Sequence, residues 1–130
     1  MVMSEYEKQE IVRYASFLED KGYTKNIKNN HVIDYSSQEI DIGVVFEPYD
    51  DFCDVCIIFK KENEAYYVGW IARVKGNLNI NLHQRLETIR MLLSFVKENY
   101  SAITDINYCR ESRKLVDEFI ENAKKKRSIE

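Results

Sequence analysis

Acidic side chains are the densest chemistry in this 130-residue chain. Between positions 39 and 64 stand eight carboxylates, Glu39, Asp41, Glu47, Asp50, Asp51, Asp54, Glu62 and Glu64, against two lysines, Lys60 and Lys61. The formal charge of the whole chain is only −3, so the acid is local. Carboxylates at this density can hold a cation, pair for acid–base catalysis, or attract a basic partner. A calcium loop is excluded by spacing, because Asp50, Asp51 and Asp54 lack the sixth-position glycine and the terminal bidentate glutamate of the twelve-residue motif. Pairs drawn from Glu39, Asp41 and Asp54 are what any acidic sheet provides, so they do not single out general acid–base work. Attraction of a cationic partner remains: self-repelling acid on a folded surface is tolerated most easily when something basic neutralises it.

The other reactive residues carry less. Cys53 and Cys56 have the spacing of a redox pair, which needs its first thiol at a helix N-terminus. Here the motif opens a strand, and residues three apart on a strand face opposite ways. Cys109 is the only further cysteine, so a four-thiol zinc site cannot form. The two histidines, His31 and His83, stand in no metal-ligand spacing and beside no nucleophile motif. The four glycines are isolated from one another, which excludes a glycine-rich phosphate loop. No catalytic residue, metal or cofactor is expected.

These residues need elements to position them. Ser4 and Glu7 have capping-box spacing, Gly22 has the place of a C′ stop, and Ile11, Tyr14, Ala15 and Leu18 share a stripe, which predicts a helix over Glu5–Lys21. The asparagine-rich stretch 22–30 reads as a connection with a short strand around Tyr23–Ile27. The period then changes to two. Strands are expected at 31–36, at 38–47 (Ile40, Ile42, Val44 and Phe46 inward) and at 52–60 (Val55, Ile57 and Phe59 inward). A last strand is expected at 66–74, with Pro48–Asp51 and Lys61–Glu64 as turns. Leu82, Leu86, Ile89, Leu93, Val96 and Tyr100 restore the helical period, and a break near Tyr100–Ser101 leads to a final helix with Leu115, Val116, Phe119, Ile120 and Ala123 inward. The fold class is therefore α+β: an N-terminal helix, an antiparallel three- or four-stranded meander, and two C-terminal helices packed on the sheet.

By strand parity the outward face combines Val45, Cys56, Ile58, Tyr67 and Ile71 with Glu39, Asp41, Glu47 and Asp54. Apolar anchors ringed by charge have the anatomy of a protein-binding patch. Two arrangements fit: an open patch, or a three-layer sandwich in which the first helix covers it. The candidate partner-binding residues are Glu39, Asp41, Glu47, Asp50, Asp51 and Asp54, with Tyr49 and Tyr67 as aromatic anchors. Trp70, Tyr66, Tyr100 and Tyr108 fit either an aromatic core or the pocket of a small enzyme or ligand-binding domain, and a third alternative is a homo-oligomeric structural protein, a homodimer among them, in which the outward face pairs with itself.

Length and composition bound the rest. One domain spanning 1–130 is expected, with its last few residues disordered. A pI near 5.5 disfavours nucleic acid, because phosphate contacts need clustered Lys and Arg. Neither a signal peptide nor an apolar run of the roughly 18–20 residues that span a bilayer is seen, and three cysteines do not make a secreted disulfide framework. No membrane association and a cytoplasmic setting are expected.

With Tyr66–Val74 (Y-Y-V-G-W-I-A-R-V) in its last strand, this acidic α+β chain resembles the small immunity proteins of bacterial polymorphic and contact-dependent toxin systems. The resemblance covers architecture and charge along the whole chain and carries over no motif. It implies a non-enzymatic inhibitor that occludes a cognate toxin, commonly a basic nuclease.

Overall fold

The computed structural model describes residues 2–47, 52–80 and 84–129. Helix formation begins where the capping box predicts it. The Glu7 amide donates to Ser4 Oγ at 3.1 Å and the Ser4 amide donates to Glu7 Oε1 at 2.9 Å, satisfying two helix-end donors reciprocally. The expected single helix is two, α1 (Glu5–Tyr14) and α2 (Ser16–Asp20), separated at Ala15. The chain tightens there, with the Leu18 amide bonding the Ala15 carbonyl at 2.9 Å. That turn brings Phe17, marginal on a straight stripe, into the core together with Ile11, Ala15 and Leu18. Gly22 ends the segment at φ +96°, the left-handed conformation that a Cβ penalises.

Five strands follow, β1 (Thr24–Ile27), β2 (Val32–Ser36), β3 (Ile40–Phe46), β4 (Cys53–Phe59) and β5 (Glu64–Tyr67), in a sheet ordered as they occur in the chain. Every neighbouring pair is antiparallel, a meander. Asn29 Oδ1 accepts from the amides of His31 and Val32 and closes the first hairpin as an Asx turn. The registers place Tyr35, Ile42, Ile57 and Tyr66 in one row and Ile33, Val44 and Val55 in the next. All of these are buried. Each such side chain contributes about 1.5–3 kcal/mol by leaving water.

The strand expected over 66–74 is corrected: it stops at Tyr67, and Val68–Lys75 is a helix, α3. Apolar residues occupy both parities of that run, so it fits a helical face as well as a strand, and Val68, Ile71 and Ala72 are the buried set, spaced three and four apart. The remaining helices are α4 (Arg85–Glu98), α5 (Tyr100–Ile103) and α6 (Ile106–Ile129). Ile89, Leu92, Leu93 and Val96 of α4 join Ile11, Leu18 and the inner sheet face in one core, and α1 packs against α4. Leu82 lies outside the described residues.

α6 packs on α3 through its first half, burying Cys109 and Ser112. Farther along, Phe119 and Ile120 are exposed, which corrects their expected inward placement: Phe119 keeps one edge-on ring contact with Trp70 of α3, with centroids 6.3 Å apart, and is otherwise left to solvent. α6 also guards one sheet edge, since Arg113 donates to the Ala65 carbonyl of β5 at 2.6 Å and Arg110 pairs with Glu64 at 3.0 Å. Among the described residues no helix is long and apolar enough to cross a membrane.

Candidate functional site

The face of the sheet opposite the core is bare. Its rows, read from the registers, are Val32, Val45 and Asp54; Asp34, Gly43, Cys56 and Tyr67; and Ser36, Asp41, Ile58 and Ala65. Gly43 and Asp54 apart, none of these is buried, so among the described residues no helix forms a third layer over the sheet. Tyr67 is 42% exposed and Ile58 37%, large apolar surface on a face that water reaches. Tyr67 is held edge-on to Phe52, with ring centroids 5.7 Å apart.

The carboxylates do not form the continuous display that the sequence suggests. Asp41 accepts from Ser36 Oγ at 2.5 Å and pairs with Lys60 at 3.1 Å, and Lys60 also donates to Ser36 Oγ at 2.9 Å. Asp34, which lies outside the acidic segment, sits beside it, 3.8 Å from Lys28. Partial burial, and then the neighbouring Asp41, hold the Asp34 carboxyl above its ordinary range. Glu39 is exposed and Glu47 half-buried, at opposite ends of β3, and among the described residues neither makes an ion pair. By alternation the face thus bears four carboxylates, Asp34, Glu39, Asp41 and Glu47, against Lys28 and Lys60. Tyr49, Asp50 and Asp51 lie outside the described residues, as does His83.

Asp54 is the main correction. Expected to face solvent, it is only 6% exposed. The chain leaves the sheet at Tyr67, and the first turn of α3 folds over the Asp54 carboxylate. Asp54 Oδ1 accepts from the Gly69 amide at 2.9 Å and the Val55 amide at 2.7 Å, so a strand residue caps a helix 15 positions later. Gly69 is required by the close approach: a Cβ there would lie 2.7 Å from Asp54 Oδ2. Burial is the largest influence on this carboxyl and raises it to about 6, against the opposing pull of the two amides and of Arg73.

The thiols behave as the strand argument requires. Cys53 faces the core and Cys56 the bare face, and burial pushes Cys56 up to about 11 and Cys109 up to about 12. Among the described residues no three His, Cys, Asp or Glu side chains gather as a metal would need. The four aromatics do not line one pocket. Tyr66 and Trp70 share a cavity of about 160 Å³ with Tyr67 and Arg113, while Tyr100 bonds Tyr23 at 2.8 Å and Tyr108 lies under Lys75.

Sequence reasoning missed Asp34, Lys28 and the Gly69–Asp54 contact. Alternation within 31–36 already places Asp34 outward, opposite Ile33 and Tyr35. Nothing local announces that Asp54 will meet a helix. Comparison with protein-family models, with curated proteins and with solved structures gives no match.

Proposed function

We propose that this chain is a non-enzymatic protein-binding module that docks a partner of basic surface on the bare sheet face, and that it acts as an inhibitor, an immunity protein for a cognate bacterial toxin. One observation carries the reading: an uncovered sheet face on which Val45, Ile58 and Tyr67 surround Cys56, with an excess of carboxylate on the same face. A patch of that make-up supplies anchors to desolvate and charges to orient the approach. The charge argues for a basic partner, though Lys28 and Lys60 offset two of the four carboxylates. Steering therefore falls to Glu39 and Glu47 at the two ends of β3, and affinity to Tyr67 and Ile58. Asp54 drops out of the contact set because it is buried.

The test begins with affinity capture using the whole chain as bait and continues with the purified captured protein. A single basic protein should bind the wild-type chain and lose its toxicity on binding. Tyr67→Ala with Ile58→Ser should weaken binding by about tenfold or more, chiefly through the off-rate. Glu39→Lys with Glu47→Lys should slow association and flatten its salt dependence. Unchanged affinity in both double variants rules out this surface, and a captured protein that stays toxic when bound rules out inhibition.

A further inference from the structure

Gly43 lies in β3, the middle strand of the sheet, between Ile42 and Val44 of the core. Glycine inside a strand gives up chain entropy and a side chain to pack, so it often marks a close approach. No backbone conformation demands it here, because the φ of Gly43 is not positive. The close approach is made by Asp34, its register partner on β2. A Cβ at Gly43 would lie 3.3 Å from Asp34 Oδ1, closer than ordinary van der Waals contact. The Asp34 carboxylate therefore lies across the β3 backbone, and its side chain is only 13% exposed. One missing side chain thus seats a largely desolvated charge near the middle of the bare face.

That charge is incompletely compensated. Among the described residues the ion pair of Asp34 is with Lys28, at 3.8 Å and with the lysine side chain 53% exposed. Such a pair is longer than a hydrogen bond and weak in solvent. Lys60 is committed to Asp41, to Ser36 and to the Ser37 carbonyl. Burial, and then Asp41, hold the Asp34 carboxyl above its ordinary range against both lysines. A further cation brought to Asp34 is therefore favoured, and the fold has already stripped much of the water it would displace. An ammonium meets a carboxylate as a strongly hydrated point charge. A guanidinium is less hydrated, offers two parallel N–H donors, and rides on an apolar stem. The row beyond Asp34 suits that stem: Gly43 and Cys56 are low, with Val45 on one side and Ile58 on the other. We propose that Asp34, seated over Gly43, is the central charged contact of the docking face and receives an arginine side chain of the partner, its methylenes lying over Gly43 towards Cys56. This rests on the docking reading above and narrows the partner's basic surface to one arginine at the centre, with Glu39 and Glu47 steering the approach.

The experiment has two arms. In the first, N-acetyl-L-arginine amide and N-acetyl-L-lysine amide, which carry the same charge, are titrated into the ¹³C,¹⁵N-labelled full chain. The arginine compound should shift the Asp34 carboxyl and Gly43 amide resonances more strongly than the lysine compound. In Asp34→Asn the Gly43 amide should no longer distinguish them. Equal shifts from the two compounds in the wild-type chain overturn the proposal. In the second arm, with the captured partner, Asp34→Asn should unfold in urea no earlier than wild type, because burial disfavours its charge, yet bind about thirtyfold more weakly or worse. One arginine of the partner, changed to Ala, should lose as much and couple to Asp34→Asn in a double-mutant cycle. Lysine in its place should not restore binding. Binding lost in Tyr67→Ala with Ile58→Ser but kept in Asp34→Asn overturns the arginine contact and leaves the docking face standing. Binding kept in both removes the docking face and this contact with it.

Discussion

Replacing Asp54 by Asn separates two opposing influences on one buried carboxylate. Burial disfavours its charge, whereas the α3 N-terminus and two amide donors favour it. In the fold burial wins, and the carboxyl rises from its ordinary 3.8 to about 6. A carboxyl raised by folding contributes its stability below the unfolded value and loses it as pH climbs through the folded one. A rise of that size corresponds to about 3 kcal/mol of penalty above pH 6, of which about 1 kcal/mol remains at pH 4.5. Asn keeps the shape and the Gly69 bond and carries no charge at either pH. The stability difference between Asp54→Asn and wild type should therefore move by about 2 kcal/mol in the variant's favour between pH 4.5 and pH 7.5. Any constant offset from exchanging acid for amide cancels in that comparison. Urea unfolding of both proteins across this range measures it. A flat difference, or one that turns against the variant as pH rises, refutes the reasoning and shows that the helix end holds the carboxylate ionised.

Gly69→Ala should destabilise the fold by about 1–2 kcal/mol, because its Cβ displaces a carboxylate hydrogen bond worth about 1.5–3 kcal/mol while gaining up to about 1 kcal/mol of helix propensity. In an Asp54→Ala background the same change should be neutral or favourable, and a double-mutant cycle in urea reads the coupling. Cys56 should react with a thiol reagent at pH 8 about a hundredfold more slowly than free cysteine, and Cys109 more slowly still, with full rates restored in denaturant; rapid native labelling contradicts the raised thiols described for them.

What could be read in advance depended on how local the cause was. Ser4 with Glu7, Gly22, and the alternation through Ile40–Phe46 and Cys53–Phe59 are decided within a few residues, and each stands where its pattern puts it. The run Tyr66–Val74 misleads because both of its parities are apolar, and its conversion to helix is tied to a carboxylate from another strand. The split at Ala15 serves the burial of Phe17, which depends on a core assembled from distant elements. Phe119 and Ile120 follow the right period, yet stay exposed with Trp70 as the ring partner of Phe119, because how far the body covers α6 is a matter that periodicity does not encode. The candidate site was legible as a face but not as a charge distribution: alternation names the outward residues, whereas Lys28 and Lys60 meet their carboxylates only through strand pairing.

The docking claim is tested most directly by methyl-labelled spectra of the whole chain with and without the captured partner. The Val45 and Ile58 methyl groups on the bare face should shift or broaden, while those of Ile89 and Leu92 beneath the sheet should not. Perturbation confined to Ile120 on the projecting end of α6, with Val45 and Ile58 silent, contradicts it.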